Sequence, residues 1–338
     1  MTAPSSKAQP ADWRFPAPYD ARGLGLALIA ILVLLFTGAR VEIDRMLALS
    51  GDGLLAAVGL KDDSQVAKGF ATIGQQMFPL VIAERTETSR IENFDPNHLP
   101  RFARLETVER EVETLNPDTL QTDRSVERVQ YMTEPFGYLR HVALKLVETL
   151  EIALWGTVLA VILAVLLAIL GARNLTPHPV VHVAARTVVS FFRSIPELIS
   201  ALFLVLAYGF GPIAGVLALA FHAAGFLGKF YAEDIENADP RAQEALNAIG
   251  ASRLKVLIYG ILPQVAPQYI AYTLYVLDRN VRMATVIGLV GAGGIGQELK
   301  GRYDMYNYGH VATILLAIFL LVVALDQLSI RLRRRMVD

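Results

Sequence analysis

The glycine-rich stretch at residues 291 to 296, GAGGIG, has the spacing of a nucleotide-binding loop. Gly291, Gly293 and Gly296 fit GxGxxG, which lets backbone approach a pyrophosphate in a dinucleotide-binding domain. Such a fingerprint follows a strand, opens a helix in a βαβ unit and precedes an acidic residue by about 20 positions. Here that offset falls in GHVATILLA, which has no acid, and no GxxxxGK[ST] occurs in the chain. The glycines, with Gly294, therefore indicate a backbone turn rather than a nucleotide site.

A second group of chemically capable residues carries charge within apolar sequence. Asp278, Arg279 and Arg282 lie in YVLDRNVRMATV, and His222 lies in another apolar run. Ionisable groups in membrane helices are costly and are functional candidates by default. Asp278 and Arg282 are four residues apart and can pair on one helix face, whereas a free guanidinium would match a tetrahedral oxyanion. Bracing between helices and lining of an anion route both remain open. His222 can likewise be an interhelical hydrogen-bonding residue or a substrate contact.

The composition is that of an integral membrane protein. Of 338 residues, 54% are hydrophobic, and the mean hydropathy is +0.42. The formal net charge of −1 gives no basic field for nucleic acid. The absence of cysteine excludes disulfides, thiolate metal sites and cysteine nucleophiles, and no HExxH or other metal-ligand spacing occurs. We therefore predict no catalytic residues, no metal site and no cofactor in this chain.

Six apolar runs are long enough to cross a bilayer, which takes about 20 helical residues. The third is interrupted by Pro196, which should kink the helix or mark its start, and an ion pair or a cap is expected of Arg193 and Glu197 beside it. The first run has a cleaved signal peptide as its alternative to a retained anchor. The runs are 23–39, 150–170, 183–208, 213–230, 264–287 and 311–330.

With six crossings, the basic residues in the short flanking segments all fall on one side of the membrane, so both termini are predicted to be cytoplasmic. The long charged segment after the first span is then external and is expected to form a small domain. Its Phe102, Leu105 and Val108 fit a helical face, whereas its threonine and valine content allows strands. The predicted divisions are a cytoplasmic leader 1–22, a first helix 23–39, an extracytoplasmic segment 40–148, a membrane core 149–330 and a basic cytoplasmic tail 331–338.

The cytoplasmic loop 233–263 has clear local helix signals. Asp239 followed by Pro240 predicts a capped helix start, and Gly250 predicts a left-handed stop after about Ile249. Ser252 can cap a second short helix, RLKVLIYGIL, which Pro263 should separate from the next span. The loop is either an ordinary connector or a docking element for a cytoplasmic partner.

The same loop resembles the EAA coupling loop of ABC importer permeases, E-A-A-x3-G-x9-I-x-L-P. The matching residues are Glu244, Ala245, Gly250, Leu262 and Pro263. Two positions depart from the pattern: Leu246 stands where alanine is usual, and Gly260 where isoleucine is usual. Around the loop, RSIPELISALF, FHAAGFLGKFYAEDIENA and NVRMATVIGLVGAGGIGQEL resemble the phosphonate and phosphite uptake permeases, over roughly residues 145–335.

This resemblance implies an all-α protein of the bacterial inner membrane, with about six transmembrane helices in a type I ABC importer permease fold and a small external domain. It implies two permease copies around the pore, two cytoplasmic ATPase subunits that hold ATP and Mg, an external solute-binding protein and surrounding lipid. Glu244 would lie in the helix that docks on the ATPase, Gly250 would permit its turn, and the four glycines of GAGGIG would form part of the gate. The expected cargo is phosphonate, phosphite or hypophosphite.

Three other functions remain open. One is an importer permease of the same architecture for methionine or another small solute. Another is a membrane enzyme that would use His222, Asp278 and Glu197, although no metal-ligand spacing occurs and the histidines of the chain do not converge by sequence spacing. The last is a scaffold or receptor, which would leave the cytoplasmic helical loop without an ATPase.

Overall fold

The computed structural model describes residues 21–61, 64–92, 94–96, 98–100, 102–115, 122–176 and 178–337. The predicted leader therefore lies outside the described residues except for its last two positions, as does the final residue of the predicted tail. The chain divides into two compact units, residues 1–75 and 76–338.

The first unit is helical where it is described. Its first helix contains the predicted first span, and an 18-residue window from Gly23 to Arg40 is apolar enough to cross a bilayer. Two amphipathic helices follow this first helix, and the chain changes direction before them at Glu42, which has left-handed backbone angles. The bounds are α1 Ala21–Arg40, α2 Ile43–Ala57 and α3 Gln65–Met77, the last of which ends just inside the second unit.

The second unit opens with a three-stranded antiparallel sheet, so the protein is mostly helical rather than all-α. The strands are β1 Glu84–Glu87, β2 Arg104–Leu115 and β3 Thr122–Glu134, in the order β1-β3-β2. The register pairs Glu84 and Arg104 with the last two residues of β3. The sequence left open whether this segment is helical or forms strands, and strands are confirmed. Their β-branched valines and threonines favour a pleated strand.

Nine α-helices follow the sheet among the described residues of the second unit. They are α4 Gly137–Gly171, α5 Pro179–Ser194, α6 Glu197–Tyr208, α7 Pro212–Asn237, α8 Pro240–Ala248, α9 Arg253–Lys255, α10 Leu262–Gly288, α11 Gly294–Asp304 and α12 Tyr308–Val337. A π-helical turn, Val256–Ile261, joins α9 to α10. The helix α4 begins well before the predicted start of the second span at residue 150.

Small residues allow α4 and α7 to pack closely. A side chain at Gly156 of α4 would approach the β-carbon of Leu219 to 2.9 Å, and Ala160, Ala164 and Ala168 continue a fully buried stripe on α4. In lipid, where burial of apolar area gives little net driving force between helices, such small residues permit close van der Waals contact. The paired helices form the centre against which the charged helix α10 packs.

The third predicted span is a broken one. Helices α5 and α6 meet at an angle of 92° across Ile195 and Pro196. Proline cannot donate a backbone hydrogen bond to the preceding turn, so α5 ends before it and α6 begins directly after it. The prediction that Pro196 interrupts this run is confirmed.

Among the described residues, four helices are long and apolar enough to cross a membrane, or five if the bent pair counts as one span. The fifth predicted span does form a long helix, α10, but Asp278, Arg279 and Arg282 reduce its apolar character. A total of about six transmembrane helices stays a prediction.

Candidate functional site

The helix α8 forms where the sequence predicts it and is capped at both ends. The Asp239 carboxylate accepts a hydrogen bond from the Arg241 amide at 2.9 Å, and Pro240 occupies the first turn, where its missing N–H is no loss. At the other end, Gly250 has φ of +79°, the left-handed conformation that glycine adopts without steric cost. Both predicted helix signals are confirmed.

The predicted break at Pro263 is wrong. The helix that starts after Ser252 continues through the π turn Val256–Ile261 directly into α10, where Pro263 lies in the first turn. An interior proline clashes with the carbonyl four residues before it. The wider π turn immediately upstream relieves this constraint, so the chain stays helical.

The two departures from the coupling-loop pattern touch each other. A β-carbon added at Gly260 would lie 3.0 Å from Cδ1 of Leu246, tighter than ordinary packing distance. The enlarged side chain on α8 therefore occupies the space that the missing side chain on the π turn leaves. The larger residue at position 246 and the smaller residue at position 260 therefore compensate each other in volume, which explains how both departures coexist.

The outward face of α8 is free of the bundle in this single chain. Glu244 and Ala245 are exposed, and Ile249 is 79% exposed. The helix is nevertheless anchored, because Asn174 after α4 hydrogen-bonds both Gln243 and the Ile235 carbonyl of α7. The arrangement is a short, rigidly held helix that presents an acidic and apolar face.

A buried ionic cluster lies at the break between α5 and α6. The Arg279 guanidinium donates to the Glu197 carboxylate and to Nε2 of His222, the latter at 2.8 Å. The other ring nitrogen of His222 lies 3.0 Å from the carbonyl oxygen of Ile195, in the break itself. With a proton on Nδ1 donated to that carbonyl, Nε2 is left as the acceptor for arginine. The ring of Phe226, 5.7 Å from the guanidinium carbon, covers another side of it.

This cluster assigns partners that the sequence left open. Glu197 pairs with Arg279 rather than with its neighbour Arg193, and His222 links α7 to α10 and to the α5–α6 break. The arginine is thus held on three sides by this chain. Arg279 and His222 thus join α10, α7 and the break between α5 and α6.

Asp278 and Arg282 form the pair that their spacing predicts. The Arg282 guanidinium donates to the Asp278 carboxylate one turn away. The Asp278 side chain is only 6% exposed, whereas that of Arg282 is 46% exposed. Arg282 is therefore a cation of α10 that retains substantial exposed surface in a single chain.

The glycine segment is a tight turn between α10 and α11. Gly291, Gly293 and Gly294 all have positive φ, and a β-carbon at Gly296 would come within 2.0 Å of a backbone carbonyl of α10. Two of its amides are already occupied by side chains of α4: that of Gly294 donates to Glu148 at 3.0 Å. The next amide, of Ile295, donates to Thr149 Oγ1 at 2.8 Å.

The glycine turn and α8 lie at opposite ends of the helix bundle. The turn contacts the early part of α4 and the start of α7, where the Gly211 amide donates to the Gly291 carbonyl at 3.0 Å. In contrast, α8 is anchored to the residues that follow α4 and to the last turn of α7. A movement at one end can reach the other only through the long helices.

An ion pair stabilises α11 beyond the turn. Arg302 Nε donates to Glu298 at 2.7 Å, and His141 Nε2 of α4 lies 3.3 Å from the same carboxylate. Burial alone would raise the pKa of Glu298, but the hydrogen bond and charge of Arg302 outweigh it and lower that pKa. Within the part of the chain that the structure describes, no group of three or more His, Asp or Glu side chains could hold a metal ion.

Residues 145–338 match the family model described as the binding-protein-dependent transport system inner membrane component. The chain belongs to this permease family. A protein of Stutzerimonas stutzeri named as a phosphite transport system permease, HtxE, is 56% identical over 261 residues, which is 77% of this chain and all of the relative. A second from the same organism, the phosphite transport system permease PtxC, is 44% identical over 56% of this chain and 69% of its own length.

The permease fold is that of a type I ABC importer. An inward-facing structure of the MetNI methionine ABC transporter covers 60% of this chain and 98% of its own, with a TM-score of 0.50 and 24% identity. At that identity the likeness concerns the fold alone.

Sequence reasoning about this permease named Glu197 but not its partner Arg279, which is 82 residues away. It missed two residues that organise the glycine-rich turn. Glu148 and Thr149 contact the glycine turn from 146 residues away. The only available signal was a carboxylate at the edge of an apolar run, which does not by itself name a partner.

Proposed function

We propose that this chain is the transmembrane subunit of an ATP-driven importer for phosphite, phosphonate or a related reduced phosphorus oxyanion such as hypophosphite. The observation that carries the proposal is the 56% identity to HtxE along the whole of that relative. The methionine alternative has weaker support: 26% identity to the D-methionine transport permease MetI of Haemophilus influenzae over 52% of this chain, and a likeness of fold to MetNI at 24% identity. At that level, shared architecture gives no information about cargo.

In the proposed assembly, two copies of the chain surround the pore, and their outer apolar faces contact lipid. Two ATPase subunits bind ATP and Mg at the cytoplasmic side, and a solute-binding protein delivers the anion outside. The capped helix α8 supports this arrangement, because its free face, with Glu244 and Ala245, is a rigid element available to a groove. Gly250 sets the turn, while Leu262 and Pro263 join the helix to α10. ATP hydrolysis then belongs to the partner subunit.

The orientation follows from the charge pattern. With α8 on the cytoplasmic side, both termini are cytoplasmic, and the glycine turn, at the other end of the bundle, faces outward as part of the gate. Closure of the ATPases would move the two α8 helices together and change the packing of the long helices, a rigid-body switch.

The roles of the intramembrane charges differ. Arg279 is satisfied by Glu197, His222 and Phe226, so it braces the broken helix. Arg282 has the free surface that a passing oxyanion needs, and Asp278 orients it. A weak contact of this kind suits a permease, because a strong site would trap the substrate.

The proposal is tested by uptake into proteoliposomes that contain the chain with its ATPase and binding protein. We expect ATP-dependent uptake of phosphite, methylphosphonate or hypophosphite, and none of methionine. The chain without the ATPase should hydrolyse no ATP. Uptake of methionine but of no phosphorus oxyanion, or ATP hydrolysis that copurifies with this polypeptide alone, would overturn the proposal.

A further inference from the structure

The turn at residues 291–296 is fastened to α4 by two side chains that no coupling or transport motif includes. Gly294 and Ile295 are the first residues of α11, and amides in that position have no partner within the helix. Glu148 accepts from the first at 3.0 Å and Thr149 from the second at 2.8 Å. Consecutive residues of one helix thus bind consecutive amides of another segment.

Charge strengthens this attachment. The start of α11 carries the positive end of the helix dipole, which favours an ionised carboxylate there. The second carboxylate oxygen of Glu148 accepts a hydrogen bond from Lys145 Nζ at 2.7 Å, one turn earlier on α4. A charge-assisted bond of this kind is roughly twice as strong as a neutral one.

The turn cannot slide along α4 while these bonds persist. A β-carbon at Gly294 would lie 2.6 Å from Thr149 Oγ1, and one at Gly293 would lie 3.1 Å from the Glu148 carboxylate. The Thr149 hydroxyl is fixed in turn, because it donates to the Lys145 carbonyl at 2.8 Å. Any displacement of the turn from α4 must therefore break both amide bonds together.

We infer that Glu148 and Thr149 are positioning residues that latch the glycine turn to α4 and set the free energy of opening the gate. The place of this latch in a transport cycle rests on the proposed function, but the attachment itself does not. Because the Glu148 carboxylate occupies the Gly294 amide, the turn gates passage by moving and does not bind the cargo while latched.

The natural absence of cysteine makes a direct test possible. Ala292→Cys places a thiol at a fully buried position in the turn, and Val290→Cys is a half-buried second reporter if the first variant loses uptake. The rate of labelling by a water-soluble maleimide is measured for the full chain in opened membrane vesicles, so that both sides are accessible. Ala168→Cys places a thiol at a buried position near the other end of α4, where it reports any general loosening of the helix bundle.

Each reporter is combined with a change at Glu148 or with Glu151→Ala, which removes an exposed carboxylate one turn along the same helix. In Glu148→Ala, the reporter thiol in the turn should react with the maleimide about tenfold faster, the factor expected when a charge-assisted hydrogen bond no longer opposes local opening. Glu148→Gln keeps an oxygen acceptor and should label more slowly than Glu148→Ala. Glu151→Ala should match the parent, and the thiol at position 168 should be unaffected throughout.

Equal labelling in Glu148→Ala and Glu151→Ala would overturn the latch, as would an equal acceleration at position 168, which indicates general destabilisation. In the transporting complex, Glu148→Ala should change the maximal uptake rate and leave the half-saturating substrate concentration within about twofold, because the gate and not the substrate contact is altered. Failure of the parent complex to transport any phosphorus oxyanion would count against the proposed function and leave the labelling result intact.

Discussion

The contact between Leu246 and Gly260 predicts that two damaging substitutions will compensate each other. Gly260→Ile places a branched side chain on the π turn, and its first carbon alone would lie 3.0 Å from Leu246. Overpacking of this kind costs about 2 kcal/mol. Leu246→Ala removes a half-buried side chain that holds α8 to the π turn, at a cost of about 1 to 2 kcal/mol.

The double variant restores the residue sizes of the coupling-loop pattern, with alanine on α8 and isoleucine on the π turn. If one contact joins the positions, the double variant should lie within about 1 kcal/mol of the parent, which corresponds to a coupling energy of at least about 2 kcal/mol. The free energy of unfolding is measured by titrating the purified chain with a denaturing detergent. Substrate-stimulated ATP hydrolysis by the full complex reports whether α8 keeps its position.

Additive losses would refute this reasoning. If the double variant loses the sum of the two single losses within about 0.5 kcal/mol, the residues act independently. A recovered stability with unrecovered ATP hydrolysis would instead show that the packing is compensated and that the ATPase surface requires Leu246 itself.

Three further outcomes are expected. Gly296→Ala should abolish accumulation of folded protein in a membrane-fraction immunoblot, because the new carbon would lie 2.0 Å from a carbonyl oxygen. The control Gly301→Ala, whose new carbon meets nothing within 4 Å, should be tolerated or slightly stabilising. Equal protein levels for the two variants would contradict the close packing of the turn. Arg279→Gln leaves Glu197 buried without its cation and should cost about 3 to 5 kcal/mol in the detergent titration, with partial recovery on adding Glu197→Gln; no recovery would argue against their pairing. Because the pKa of Glu298 is lowered in the folded protein, the ionised carboxylate stabilises the fold above the ordinary pKa of 4.5, and this stabilisation is lost as pH falls below 4.5. The melting temperature of Glu298→Gln should therefore fall less on acidification than that of the parent. The same fall in both proteins would contradict this assignment.

Features that depend on neighbouring residues could be predicted well. Asp239, Pro240 and Gly250 define α8 because capping bonds and left-handed φ are decided within a few positions. The Asp278–Arg282 pair follows from helical periodicity alone. The error at Pro263 came from treating proline as a break, when a π turn upstream can absorb the clash.

By itself, the sequence determined the membrane class, the local helix signals, the interruption at Pro196 and the permease family, because apolar run length, capping residues and motif spacing are properties of contiguous chain. Only the tertiary structure decided which side chains satisfy the buried charges and the amides of the glycine turn. Glu197 reaches Arg279, and Glu148 reaches Gly294, only after α4, α6, α10 and α11 have packed. In apolar surroundings each of these polar groups must find a partner, but that requirement does not specify which one; helix packing does.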